Sequence, residues 1–247
     1  MKLKTVQASA FKALFEVLKD VLNDVNIIFE PKGLTVLTLD TARVSLIDLH
    51  LPAENFEEYE CERPILAGIN ISNTFKLFKT ISNNDTLEIS IIHRDIMNIH
   101  IKNVEKKTDT KFQLKLLDIN DEQLVLPDIK TSVVTTMPSV DFQRSCRDMQ
   151  NLASEVMITR KSVEFIISCQ GDFASQETTI ECEKGEYPGT LSGVYSLKYL
   201  NIFTKATGMC STVQIFQEDD NRFLILKYNV ANLGDLRFFL AKKLEDV

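Results

Sequence analysis

The sequence predicts an α+β protein built from two similar halves, and three observations predict it. Short apolar runs of alternating polarity recur along the 247 residues, separated by turn chemistry such as EPKG (30–33), SNND (82–85) and EDDN (218–221). Only four segments carry the three-to-four spacing of an amphipathic helix. The order of these elements, a helix, strands, a helix and strands again, is run through twice.

The first helix spans 9–22: Phe11, Leu14, Phe15, Leu18 and Leu22 form an apolar stripe, and Lys12 and Lys19 lie off it. VNIIFE (25–30), GLTVLTL (33–39) and VSLIDLHL (44–51) read as strands. The second helix, 72–81, turns Phe75 and Phe78 inward and leaves Lys76 and Lys79 outside. TLEISII (86–92), IMNIHIK (96–102) and KFQLKLL (111–117) follow as strands. LDINDEQLVLPDIKTS (117–132) is acidic, contains proline and is weakly periodic, so it reads as a connector. The expected division is a domain over 1–117, a connector over 118–132 and a second domain over 133–247.

In the third helix, 141–151, Phe142, Cys146 and Met149 point inward, while Arg144, Arg147 and Asn151 form an i, i+3, i+7 row. VEFIIS (163–168) and TTIEC (178–182) are strands. The fourth helix, 196–207, presents Tyr199, Ile202, Phe203 and Ala206 to a core and lines up Lys198, Asn201 and Lys205 outside. TVQIF (212–216) and FLILKY (223–228) complete the set. The halves align at a nearly fixed offset. Phe11 matches Phe142 and Val25 matches Val156, 131 residues apart; Gly68 matches Gly193, Phe78 matches Phe203 and Thr86 matches Thr212, 125–126 apart.

Charge is segregated. The chain holds 35 acidic and 28 basic residues, a net charge of −7, which argues against indiscriminate binding to polyanions. Yet the four helical segments hold eight bases against four acids, and the rest holds 20 against 31. A solvated face explains one basic helix; four of the same sign fit a surface that meets a polyanion through phosphate contacts. The start, MKLKTVQASA, has no apolar stretch, and no run is long enough to span a membrane, so no leader and no membrane contact are expected. Five widely spaced cysteines without a CxxC are expected as reduced thiols of an intracellular protein.

SCRDM (145–149), LKYLNIFTKAT (197–207), LDTARVSLIDL (39–49), QLVLPD (123–128) and GDLRFFLAKKLED (234–246) resemble the eukaryotic-type sliding clamp family, proliferating cell nuclear antigen, over nearly the full chain. The resemblance implies two similar DNA-clamp domains, with helices lining the interior of a head-to-tail homotrimeric ring and antiparallel sheets outside. It implies double-stranded DNA bound without sequence specificity, no catalysis and no cofactor or metal. Partners would be DNA polymerase, clamp loader, flap endonuclease and DNA ligase, reached through PIP-box peptides in the nucleus or at a site of viral DNA replication. DNA-facing positions carried over are Lys12, Lys19, Lys76, Lys79, Arg144, Arg147, Lys198 and Lys205. Ala13 stands where many relatives have a further lysine. The partner groove would use Leu39, Val44, Leu46, Leu124, Leu126, Pro127, Phe239, Leu240 and Ala241; Lys242 stands where relatives usually have proline, and Arg43 replaces a less charged residue. The ring would close by pairing KFQLKLL with SQETTIECE (175–183). Lys111 and Lys115 would lie on one face, opposite Glu181 and Glu183 with Glu177, while Ile180 supplies the buried side.

Two alternatives remain open from sequence. One is a subunit of a checkpoint-type hetero-trimeric clamp. The other is a metal-dependent nucleic-acid enzyme, for which support is thin: the three histidines, His50, His93 and His100, are scattered, and no Walker A, GxSxG or HExxH motif occurs.

Overall fold

The computed structural model describes residues 1–40, 42–120, 124, 126, 131–182, 189–218 and 222–243. It divides into two compact units. The first comprises Met1–Thr41, Ile47–Val125 and Asn229–Leu236; the second comprises Ala42–Leu46, Leu126–Tyr228 and Arg237–Val247.

The first half of the chain runs β1 (Lys2–Thr5), α1 (Ala8–Leu18), β2 (Asp24–Glu30), β3 (Gly33–Leu39), β4 (Ser45–Pro52), β5 (Glu58–Glu60), β6 (Ile65–Asn70), α2 (Ile71–Phe78), β7 (Thr86–His93), β8 (Ile96–Asn103) and β9 (Thr108–Lys115). One antiparallel sheet has the order β5-β1-β7-β8-β9, and a second series has the order β4-β3-β2-β6. Alternation sets the faces: Leu87, Ile89 and Ile91 of β7 and Met97, Ile99 and Ile101 of β8 are buried. Glu58 clamps β5 to β1 by accepting from Lys2 and Lys4, both at 2.8 Å. These two hydrogen bonds hold its carboxyl down at about 2.

The second half runs β10 (Thr131–Pro138), α3 (Ser139–Gln150), β11 (Glu155–Arg160), β12 (Glu164–Gln170), β13 (Ser175–Glu181), β14 (Leu191–Ser196), α4 (Leu197–Phe203), a 3-10 turn (Thr204–Gly208), β15 (Thr212–Glu218), β16 (Phe223–Val230) and β17 (Gly234–Ala241). Its strand orders, β10-β15-β16-β17 and β13-β12-β11-β14, repeat those of the first half. The repeat extends to single hydrogen bonds. Ile71 N–H donates to Asn23 O, as Leu197 N–H does to Ser154 O; Leu116 N–H to Asp95 O and Leu117 N–H to Gly68 O are matched by Lys242 N–H to Arg222 O and Lys243 N–H to Val194 O.

These hydrogen bonds correct two sequence pairings, since the offset of 126 on both sides of α2 makes Phe78 correspond to Thr204, not Phe203, and shifts Gly68 likewise. Asn26 faces Gly68 across β2 and β6, and Met157, 131 residues after Asn26, faces Val194. Gly68 therefore corresponds to Val194, not Gly193. Gly68 serves a local need of the first half: a Cβ there would lie 2.2 Å from Leu117 O.

All the helices but α3 are shorter than their periodicity. α1 ends at Leu18, though the apolar stripe runs on to the buried Leu22. In α4 the buried positions are Leu197, Leu200 and Phe203, continued by Ala206; Tyr199 and Ile202 are only half-buried. Of the strands that periodicity does not reveal, β1, β5, β6, β10 and β14 are brief or lie beside a helix start, while β17 covers Phe238, Phe239 and Leu240 in succession and so lacks alternation. His93 and His100 fall on separate strands, β7 and β8.

Candidate nucleic-acid interface

In the first unit, α2 is capped by Asn70, whose Oδ1 accepts the Asn73 N–H at 2.9 Å and whose Nδ2 donates to Asp24. α2 packs on α1 through Phe78, which meets Phe15 edge-on at 4.7 Å and Phe11 at 6.2 Å. This seam places the bases. Lys12 Nζ donates to Ile81 O at 2.9 Å, and Lys19 Nζ sits 4.4 Å from the Phe75 ring centre. Both stems are half-buried, and Phe75, expected inside, serves as the platform for Lys19. Lys76, bonded to Asn73 Oδ1, and Lys79 are exposed.

In the second unit, α3 and α4 are held together by polar side chains. Asn201 Nδ2 donates to Cys146 O at 3.0 Å, Gln143 Nε2 to Thr204 O at 2.8 Å, and Thr207 Oγ1 to Ser139 O at 3.2 Å. Asn201 thus belongs to the helix joint and not to an outer row with Lys198 and Lys205. Arg144, Arg147, Lys198 and Lys205 are exposed. Cys146 is buried under this joint, and burial pushes its thiol up to about 12. The five cysteines are free thiols.

Seven of these eight bases, Lys12, Lys19, Lys76, Lys79, Arg144, Arg147 and Lys198, form no ion pair with a carboxylate among the described residues. Elsewhere lysines are paired, as in Lys2–Glu58, Lys4–Glu58, Lys161–Glu164 and Lys243–Glu155. Lys12, Lys19, Lys76, Lys79, Arg144, Arg147 and Lys198 thus carry no ion pair among the described residues, which suits them to bind phosphates. Among the described residues no cluster of three or more metal-ligating side chains occurs, and no helix is long and apolar enough to cross a membrane.

The expected groove residues fall in both units. Leu39, Leu46, Leu124, Leu126 and Ala241 are half-buried and Val44 is exposed; Pro127 lies outside the described residues, as does Glu183. Phe239 and Leu240 are 2% and 1% exposed, so in this structure both are packing residues and offer a peptide no surface. The seam candidates alternate as expected. Lys111, Lys115, Glu177 and Glu181 are exposed, while Phe112, Leu114, Thr178 and Ile180 are half-buried.

Residues 1–123 match the family model of the proliferating cell nuclear antigen N-terminal domain, and residues 125–243 match that of its C-terminal domain. Among curated proteins, the chain is similar to the "Probable DNA polymerase sliding clamp 1" of Paramecium bursaria Chlorella virus 1. The two are 37% identical over 250 residues, covering 97% of this chain and 95% of the relative.

Proposed function

The chain belongs to the proliferating cell nuclear antigen family and is a DNA polymerase sliding clamp, a non-catalytic processivity factor; on that premise we propose that three copies close into a ring whose helices face duplex DNA. The excess of bases over acids on the four helical segments, seven of the bases without an ion pair among the described residues, carries this reading. Lys12, Lys19, Lys76, Lys79, Arg144, Arg147, Lys198 and Lys205 would meet phosphates without reading bases, leaving the ring free to slide. Replacing Lys76, Lys79, Lys198 and Lys205 by alanine is expected to leave the trimer intact by light scattering. It should weaken DNA binding and flatten its salt dependence by roughly 0.9 in log–log slope for each phosphate that is no longer neutralised. An unchanged slope would reduce these faces to solvated surface.

Domains over 1–117 and 133–247 joined by the connector 118–132 fit this reading, with the partner groove beside the connector. Leu39, Val44, Leu46, Leu124, Leu126, Pro127 and Ala241 would form the groove, with Phe239 and Leu240 as its packed floor. PIP-box peptides of DNA polymerase, clamp loader, flap endonuclease and DNA ligase would occupy it, in the nucleus or at a viral replication site. Leu126→Ser should abolish binding of a PIP-box peptide in a fluorescence titration while the melting temperature hardly moves. A collapse in stability would make Leu126 a core residue instead.

Ring closure has support inside the chain. β9 and β13 are edge strands of their sheets, a liability unless paired. Their counterparts in the other repeat, β17 and β4, are neighbours, and Ala241 N–H donates to Val44 O at 3.3 Å. A second copy would let β9 and β13 make the same joint. Size-exclusion chromatography with light scattering tests it: one trimer is expected, and a monomer at all concentrations would sink the homotrimer.

A further inference from the structure

The internal joint also says what should surround the β12–β13 turn. In the first repeat the equivalent turn, between β3 and β4, does not stay with its own strands: Ala42–Leu46 belongs to the second compact unit, where Val44 O receives the Ala241 N–H. Among the described residues, the matching turn of the second repeat, 131 residues on, makes no such backbone hydrogen bond to another strand. It is closed on itself by Gly171 N–H to Ala174 O at 2.9 Å, and its tip carries Phe173 at 79% exposure. An aromatic ring this bare, on a short hairpin at a sheet edge, forgoes its burial energy unless something covers it.

The two offsets say what covers it. Moving Ala241 back by 126 gives Lys115, and moving Val44 forward by 131 gives Ser175. The joint between copies then sets Lys115 N–H against Ser175 O. This pairing also sets the half-buried face of β9, Phe112 and Leu114, on the same side as that of β13, Thr178 and Ile180. Two residues beyond, it brings Phe173 alongside position 117. Leu117 is 43% exposed and sits where the chain leaves β9, fixed by its N–H to Gly68 O at 2.8 Å. In the internal joint the corresponding residues are Ala42 and Lys243, so nothing like this apolar contact exists there.

We infer that Phe173 is an aromatic anchor of the subunit seam, docking on Leu117 of the partner subunit. The inference rests on the ring proposed above. It adds that the turn, and not only the strand ladder, holds adjacent copies, and that the two kinds of joint differ in chemistry.

The chain has no tryptophan, so F173W introduces a single fluorescent reporter at the tip. The experiment follows its emission across a dilution series while light scattering reports the assembly state. A blue-shifted emission in the trimer, moving to the solvent-exposed maximum as the trimer dissociates, is expected. In parallel, F173A should raise the concentration of half-assembly by about tenfold or more, as truncating a buried interface aromatic does. Because Phe173 is exposed in the single chain, its melting temperature as a monomer should be unaffected. A trimer in which the indole stays solvent-exposed, or an F173A chain that assembles like the parent, overturns the anchor and leaves the ring standing. A parent chain that is monomeric at every concentration overturns the ring and the anchor together.

Discussion

Truncating Phe203 to alanine is expected to cost about 3–5 kcal/mol of stability, the range for emptying a buried phenylalanine site. Phe203 is fully buried at the end of α4 and stacks on Phe238 of β17, with ring centres 4.5 Å apart and planes 9° from parallel. Phe238 in turn meets the buried Tyr228 edge-on at 6.3 Å. The hole would open beneath the helix that carries Lys198 and leads into the 3-10 turn with Lys205, against neighbours already fixed by sheet hydrogen bonds, so collapse to fill it is restricted. Such a cost is a large share of a typical domain's 5–15 kcal/mol or so. Urea titration followed by circular dichroism would measure it. Leu200→Ala belongs to the same class, whereas Ile202→Ala should cost clearly less, because Ile202 is half-buried. Equal losses at Leu200 and Ile202 would mean that the buried face of α4 is misassigned.

That contrast marks how far the fold was legible in the sequence. The α3 stripe of Phe142, Cys146 and Met149 was readable because its outward positions after Val140 are charged, amidic or hydroxyl, leaving one apolar face. α4 was ambiguous: Leu197, Tyr199, Leu200, Ile202 and Phe203 wrap most of its circumference, and periodicity cannot choose among them. What decides is packing. Tyr199 keeps its ring 6.1 Å from Phe203, at the border of the core, while Leu200 takes the interior. The strands that alternate against a helix layer, such as β7 and β8, stood out. β1, only four residues long, and β5, only three, had too little sequence to show a period.

The candidate DNA surface was legible for the same reason, since charge sign survives in composition whatever the geometry. What composition could not show is how individual side chains are used. Asn201 sits in a row with two lysines but spends its amide on Cys146 O and Leu197 O. Lys12 and Lys198 look alike in sequence, yet Lys12 is tied to Ile81 O and Lys198 is exposed. Phe173 has no signature in sequence, because a lone aromatic in GDFAS fits no motif; only its exposure at a sheet edge distinguishes it. Phe239 and Leu240 show the converse, because neighbouring strand residues normally face opposite sides and both are nonetheless covered.

Reversing the charges of β9, with Lys111→Glu and Lys115→Glu in one chain, should dissociate the trimer. The register carried over from the internal joint sets Lys115 against Ser175 and therefore Lys111 against Thr179. Glu177 and Glu181 then lie diagonally on either side of Lys111, within reach of a long side chain. Both acids are exposed in the single chain, and Lys111 has a weak ion pair with Asp109, at 3.8 Å. Opposite-charge neighbours of this kind contribute about 0.2–1 kcal/mol each, and like charges oppose pairing to a similar degree. Replacing attraction by repulsion at two lysines should thus cost about 1–2 kcal/mol at each seam. A closed trimer has three seams, so assembly as a whole loses about 3–6 kcal/mol, which is roughly two to four orders of magnitude in the trimerisation constant. The backbone ladder and the apolar side remain, so high protein concentration should still drive closure. Salt should help as well, because exposed charges a few ångströms apart are progressively screened. Adding Glu177→Lys and Glu181→Lys to the same chain exchanges the signs across the seam and should return the trimer to near its original strength. Light scattering over a dilution series at low and high salt reads all of this. A double variant as trimeric as the parent at low concentration would place these lysines away from the seam. A dissociated double variant that the two compensating lysines fail to restore would keep the seam and refute the register, and with it the placement of Phe173 beside Leu117.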